Sequence, residues 1–139
     1  MERYLNKVAQ IQVMSTPKIL LLDDNRDLLL IIQIILKGQG FDTIAASSIE
    51  EASHKIRIHN PSLILMDVFI ADQDGREFCN QLKSNDLTSN IRIILMSGSE
   101  LSMGIMSRVH ADDFMSKPFD YNDLLERVQR QMYGVNASV

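Results

Sequence analysis

The chain has almost nothing with which to cross-link itself. Its 139 residues include one cysteine, Cys79. An intramolecular disulfide is therefore impossible, and a cysteine-based zinc site is not expected. Tryptophan is absent. No apolar run approaches a membrane span; the longest, Leu28 to Leu36, is broken by Gln33. Met1 to Pro17 carries charges and glutamines where a signal peptide would have an apolar stretch. An excess of basic residues is also missing. Fourteen Lys and Arg face 18 Asp and Glu, for a net charge of -4, which disfavours non-specific nucleic-acid binding. With 45% apolar and 23% charged residues, the balance is that of a globular protein. The length suits one domain that can bury a core without disulfides or a structural metal. These absences predict a cytoplasmic, single-domain protein of a reducing compartment.

Short apolar runs stand out against this background. Lys18–Leu22, Ser62–Met66 and Ile91–Met96 are nearly continuous and lack alternation, which predicts strands buried on both faces of a parallel sheet. Asp113–Ser116 is a further strand, and Asp42–Ala46, after the stop signal Gly38-Gln39-Gly40, is a weaker one. Helix-length segments lie between them. Asn25 to Lys37 is the first. Ser47 or Ser48 caps the second, each with a glutamate three residues on, and Asn60-Pro61 ends it. Gly75 to Ser84 is the third, and a short fourth, broken by Gly104, lies around Leu101 to Val109. The fifth starts near Asp120 and runs to Tyr133, with Leu124, Leu125, Val128 and Met132 as its apolar stripe. This order predicts an α/β fold: a five-stranded parallel sheet, doubly wound, with helices on both faces.

In open α/β sheets, ligands bind beyond the carboxyl ends of the strands. There this sequence places Asp23-Asp24 after the first strand, Asp67 after the third, Ser97-Gly98 after the fourth and Lys117-Pro118 after the fifth. Converging carboxylates repel one another unless a cation neutralises them. Oxygen ligands point to Mg²⁺, or Mn²⁺, rather than zinc. A lysine and a hydroxyl beside such an ion suit phosphoryl oxygens, with one carboxylate as the nucleophile.

Asp23-Asp24, Asp67, Ser97 and Lys117-Pro118-Phe119, spaced by 43, 30 and 20 residues, resemble the site of the receiver domain of bacterial two-component response regulators (CheY-like). The resemblance covers roughly residues 17 to 133. It implies a flavodoxin-like strand order of 2-1-3-4-5. It implies that Asp67 is the phosphoacceptor for a histidine kinase or phosphotransfer protein. It also implies that Asp23, Asp24, Asp67 and the backbone carbonyl of Phe69 bind Mg²⁺, that Lys117 pairs with Asp67 or the phosphoryl group, and that Ser97 donates to a phosphoryl oxygen beside the space left by Gly98. Phe114 takes the aromatic switch position, and the Lys117–Pro118 bond is expected to be cis. Two positions depart from the family pattern. Ala71 replaces a usual proline, which is expected to loosen the loop after the third strand. Phe114 replaces a frequent tyrosine, so switching must work through packing.

The expected organisation is an N-terminal extension (1–16), a receiver domain (17–133) and a C-terminal tail (134–139), signalling through a separate protein target or as a piece of a longer protein with a fused output domain. The chain is expected to catalyse only its own phosphorylation and dephosphorylation. Hydrolysis should be slow, because neither Phe69 nor Ser99 orients water. On the first helix, Leu28, Ile31, Ile32, Ile35 and Leu36 should face the core, with Leu29 on its flank. Leu30 and Ile34 point away, on what in this family looks like the kinase docking face. Asp113, Asp123, Arg127 and Arg130 partly resemble charges that pair across a homodimer through the fourth helix, fifth strand and fifth helix. No direct nucleic-acid or membrane contact by the domain is expected. Asp72-Gln73-Asp74-Gly75 imitates part of a calcium loop, but Ile70 and Gln81 stand where acids are needed, leaving a solvated loop and a helix start. Cys79 and the eight methionines read as core, and His54, His59 and His110 as surface. Two other readings compete: a metal-dependent phosphohydrolase on a similar sheet, and a degenerate receiver that only binds a partner.

Overall fold

Lys18–Leu22 (β1) and Leu63–Asp67 (β3) are nearly continuous apolar runs, and the fold puts them side by side at the centre of the sheet. The computed structural model describes residues 17–98 and 107–134. In chain order the remaining elements are Arg26–Gly38 (α1), Asp42–Ala46 (β2), Ile49–His59 (α2), Phe69–Ile70 (β4), Gln73–Asp74 (β5), Gly75–Ser84 (α3), Arg92–Ser97 (β6), Asp113–Ser116 (β7) and Tyr121–Tyr133 (α4). Five strands form one sheet in the order β2-β1-β3-β6-β7, and every pairing in it is parallel. The order is the expected 2-1-3-4-5, counted over these five strands.

The two faces of the sheet carry separate cores. Leu20, Leu22, Ile64, Met66, Ile93 and Leu95 point to the face covered by α2 and α3. Ile19, Leu21, Leu63, Leu65, Ile94 and Met96 point to the face covered by α1 and α4. Alternate residues of one strand thus serve opposite layers, which is why these strands are apolar throughout. Cys79 and Met66, Met96 and Met115 are buried as read. Among the described residues no helix is long and apolar enough to cross a membrane.

Side-chain caps fix the starts of α1, α2 and α3, while Asp120 at the start of α4 makes no such bond. Asn25 accepts from Leu28 N–H, Ser48 (not Ser47) accepts from Glu51 N–H, and Asp74 accepts from Arg76 N–H. Helix α2 ends at Asn60, in the left-handed region with φ 46°. The helix expected around Leu101 to Val109 lies mostly outside the described residues; residues 107–109 form a turn and bend.

Helix α1 corrects the sequence reading. It buries Leu29, Ile32 and Leu36 and half-buries Leu28 and Ile35. Ile31 is 52% exposed, beside Leu30 at 58% and Ile34 at 64%. Leu29 and Ile31 exchange the places assigned to them. In a helix apolar nearly all round, the sequence lacks the polar face that would fix its rotation.

The segment after β3 is a second correction. Rather than a loosened loop, Phe69–Asp74 forms a two-stranded antiparallel hairpin, with Phe69 opposite Asp74 and Ile70 opposite Gln73. Ala71 and Asp72 close it with φ of 47° and 66°. Two successive positive φ values make a turn of the I′ kind, whose twist matches a tight hairpin.

Candidate functional site

Three carboxylates meet because two adjacent strands end side by side. β1 runs into Asp23-Asp24, and β3 ends in Asp67. One oxygen from each of Asp23, Asp24 and Asp67 lies within 4.8 Å of the others. They differ in burial: Asp23 is 1% exposed, Asp67 is half-buried and Asp24 is exposed. Backbone donors hold each in place. Asn25 N–H donates to Asp23 Oδ1 at 2.9 Å, Val68 N–H to Asp67 Oδ1 at 2.8 Å and Ala71 N–H to Asp24 Oδ2 at 3.1 Å.

Lys117 enters from beyond β7 and lies between two of the acids. Its Nζ is 2.5 Å from Asp23 Oδ2 and 3.2 Å from Asp67 Oδ2. The Lys117–Pro118 bond is cis, as expected. Burial works against the ammonium charge, but the hydrogen bond to Asp23 and the charges of Asp23 and Asp67 outweigh it and raise the Lys117 pKa. Burial, then the neighbouring Asp23 charge, pushes the Asp67 carboxyl above its ordinary value; Lys117 only partly offsets this. Among the described residues, one ammonium stands against three carboxylates, which leaves the cluster short of positive charge.

Ser97 ends β6 on the other side of Asp67, in register with Ser116 of β7. Its carbonyl accepts from Lys117 N–H at 2.8 Å, which ties the serine and lysine segments together. A Cβ on Gly98 would meet Lys117 Cβ at 3.7 Å, an ordinary contact, so this glycine is not sterically demanded. Phe114 is half-buried and packs against the α2–α3 core. Phe69 begins β4, two residues past Asp67, and is 51% exposed. Asp23, Asp24, Asp67 and Lys117 thus form one cluster, with Ser97 and Phe69 on the strands that border it.

Sequence reasoning missed two supporting residues. Gly75 opens α3 so close to β3 that a Cβ would collide with the Asp67 carbonyl and stand 3.0 Å from the Val68 carbonyl; its N–H donates to Val68 O at 2.6 Å. The Asp74-Gly75 pair is the available signal, but in the sequence it reads only as a helix start. Arg76 grips the hairpin. It pairs with Asp74 through Nε and Nη2 at 2.9 and 2.8 Å and lies 5.6 Å over the Phe69 ring.

The charges of the expected dimer face are paired within the chain. Arg127 contacts Asp113 at 2.7 Å and Asp123 at 2.9 Å, and Arg130 contacts Glu126 at 2.8 Å.

Comparison with known proteins places this arrangement. The sequence matches the response regulator receiver domain family over residues 19–129. It is 35% identical over 112 residues to the alkaline phosphatase synthesis transcriptional regulatory protein PhoP of Bacillus subtilis strain 168, covering 81% of this chain and 47% of PhoP. The chain spans about half the length of the curated relatives it matches. Among solved structures, the signal receiver domain of a Syntrophus aciditrophicus signal transduction histidine kinase superposes with a TM-score of 0.77 at 27% identity, covering 86% of this chain and 92% of that one. The receiver domain of the sensor histidine kinase PA1611 from Pseudomonas aeruginosa PAO1, solved with magnesium in its active-site cleft, shares the fold with a TM-score of 0.74 at 21% identity, over 84% of this chain and 97% of that one. A parallel sheet in this order, ending in this acid cluster, and a family match across most of the chain lead to one conclusion: the chain belongs to the response regulator receiver domain family, the signalling module of two-component systems.

Proposed function

We propose that Asp67 accepts a phosphoryl group from a histidine kinase or phosphotransfer protein, and that the modified domain then presents a changed surface to a protein target or fused output domain. The observation that carries this reading is Lys117 Nζ lying between Asp23 and Asp67, within a cluster still short of positive charge. The donor set fits Mg²⁺: all oxygen, with three carboxylates within 4.8 Å. Asp23, Asp24 and Asp67, with the Phe69 carbonyl, would hold the ion; Mn²⁺ suits the same donors. Bound there, it would neutralise charge on the carboxylates and on phosphoryl oxygens. The PA1611 domain, which holds magnesium in the same fold, supports this assignment.

Asp67 Oδ1 is held by Val68 N–H, which orients the carboxylate and leaves Oδ2, on the Lys117 side, as the attacking atom. That oxygen forms a bond to phosphorus as the bond from phosphorus to the kinase histidine nitrogen breaks. Lys117 then shifts its charge from the carboxylate to the phosphoryl oxygens, and Ser97 donates its hydroxyl to one of them. Through the backbone bond from Lys117 N–H to the Ser97 carbonyl, movement of one segment reaches the other, with half-buried Phe114 on the adjacent strand as the packing switch. Self-phosphorylation and dephosphorylation are then the domain's only catalysis, and the apolar Phe69, two residues past Asp67, which orients no water, keeps the second step slow. Exposed Leu30, Ile31 and Ile34 on α1 form the kinase-facing apolar patch. A homodimer through the α4–β7 side would exchange the internal pairs of Arg127 and Arg130 for pairs across the interface.

The test is exposure of the protein to acetyl phosphate, or to beryllofluoride, with Mg²⁺, beside Asp67→Asn. Stoichiometric labelling of the wild type and none of the variant is expected. Equal labelling of both, or none of either, sinks the assignment.

A further inference from the structure

The hairpin Phe69–Asp74 reaches from the acceptor strand to Asp24. Ala71, at its tip, donates its backbone N–H to Asp24 Oδ2 at 3.1 Å, although the two residues are 47 apart in sequence. A proline at this position would have no N–H to give. The rest of the hairpin holds the donor in place. Phe69 and Asp74 are cross-strand partners, and the one arginine, Arg76, engages both, the ring from above and the carboxylate through two bonds. Gly75 N–H fastens the base to the Val68 carbonyl. The left-handed φ values of Ala71 and Asp72 set the turn at the tip.

Asp24 is the member of the cluster most in need of such help. It is exposed, while Asp23 and Asp67 beside it carry like charge, so its side chain gains by swinging out to water. A donor on the hairpin opposes this. We propose that the Ala71 amide is a positioning donor for Asp24, keeping its carboxylate beside Asp23 and Asp67 so that the three acids meet Mg²⁺ as a formed set. This rests on the reading of the cluster as a Mg²⁺ site. Hydrogen-bond partners of ligating carboxylates are typically worth roughly 10–100-fold in metal affinity.

Two measurements on the full chain separate the positioning claim from that reading. Without metal, amide hydrogen exchange by NMR should show Ala71 protected in the wild type and exchanging on the order of tenfold faster in Asp24→Ala, with the Gly75 amide unchanged. Equal Ala71 rates in both proteins overturn the contact. With metal, calorimetric titration of Mg²⁺ compares the wild type, Ala71→Gly and an analogue with an ester in place of the Ile70–Ala71 amide. Ala71→Gly keeps the donor and eases the positive φ, so its affinity should stay within about twofold of wild type. The ester lacks only the N–H, and its affinity should fall about tenfold. Wild-type affinity in the ester overturns the proposal. Absence of Mg²⁺ binding in the wild type overturns the metal reading, and the exchange data alone then decide whether the hairpin holds Asp24.

Discussion

The two ends of the sheet use the same kinds of residue to opposite purpose. At the carboxyl ends of the strands, three carboxylates share one lysine, Lys117. At the amino ends, one carboxylate, Asp112, has two cations: Lys83 at 2.6 Å and Arg92 at 3.5 Å. Asp112 also accepts from Ile93 N–H at 2.8 Å, while Lys83 donates to the Ile91 carbonyl at 2.7 Å and Arg92 to Gln131 at 3.0 Å. The amino end is saturated and fastens α3, β6, β7 and α4 to one another. The carboxyl end, among the described residues, is left with unneutralised negative charge, which costs stability and suits the cation and phosphoryl group proposed for it.

The sharpest way to break this contrast is to remove the acid of the saturated end. Asp112→Ala leaves Lys83 largely buried without its partner and should cost about 3 kcal/mol in urea unfolding, while Mg²⁺ affinity at the far end is unchanged. A cost below about 1 kcal/mol would mean that the amino-end network is ornamental. Next in size is Gly75→Ala. Its methyl meets the Asp67 and Val68 carbonyls, so a loss of about 2 kcal/mol is expected, together with weakened phosphoryl uptake because Asp67 is displaced; unchanged stability would show that α3 can move away freely.

Smaller effects sharpen the carboxyl end. Mg²⁺ at about tenfold its dissociation constant should stabilise the wild type by about 1.4 kcal/mol, equally so in Asp112→Ala, and by far less in Asp67→Asn. In metal-free buffer Asp67→Asn should itself stabilise the fold in urea unfolding, by roughly 0.5 kcal/mol. Burial and the Asp23 charge already raise the Asp67 pKa, so its ionised form opposes folding; a clear fall in the midpoint would show that the Lys117 pair dominates instead. The least effect concerns Cys79. Burial pushes its thiol up to about 12 from an ordinary 9.0. The unfolded chain therefore releases the thiol proton at a lower pH than the folded one, and stability should fall slightly as pH rises above about 9. Near pH 8 the native thiol should resist iodoacetamide and react once Asp112→Ala loosens the amino end.

The sheet and the acids were legible because both are written in contiguous residues. Burial on both faces leaves an unbroken apolar run such as Leu63–Met66, and an acid directly after such a run lands at the strand end. The hairpin was not legible. A two-residue strand has no period to detect, and nothing in Phe69-Ile70-Ala71-Asp72 announces two left-handed residues. Nor was the Lys83–Asp112 pair, whose members come from separate parts of the chain. The rotation of α1 failed for want of contrast: where Leu28 to Ile32 are all apolar, only packing against β1 and β2 selects Leu29 over Ile31.

The strand order has a consequence for how the molecule is made. As the chain emerges from the ribosome, β2 joins one edge of β1, and every later strand of the sheet (β3, then β6, then β7) adds to the opposite edge in order of synthesis. Assembly can follow translation outward without inserting a late strand between early ones. Yet no two neighbours in this sheet are joined by a tight turn, so each addition closes a long loop, and such pairings form slowly. Until Asp67 has been made, one edge of β1 has unpaired backbone groups, open to pairing with the wrong strand.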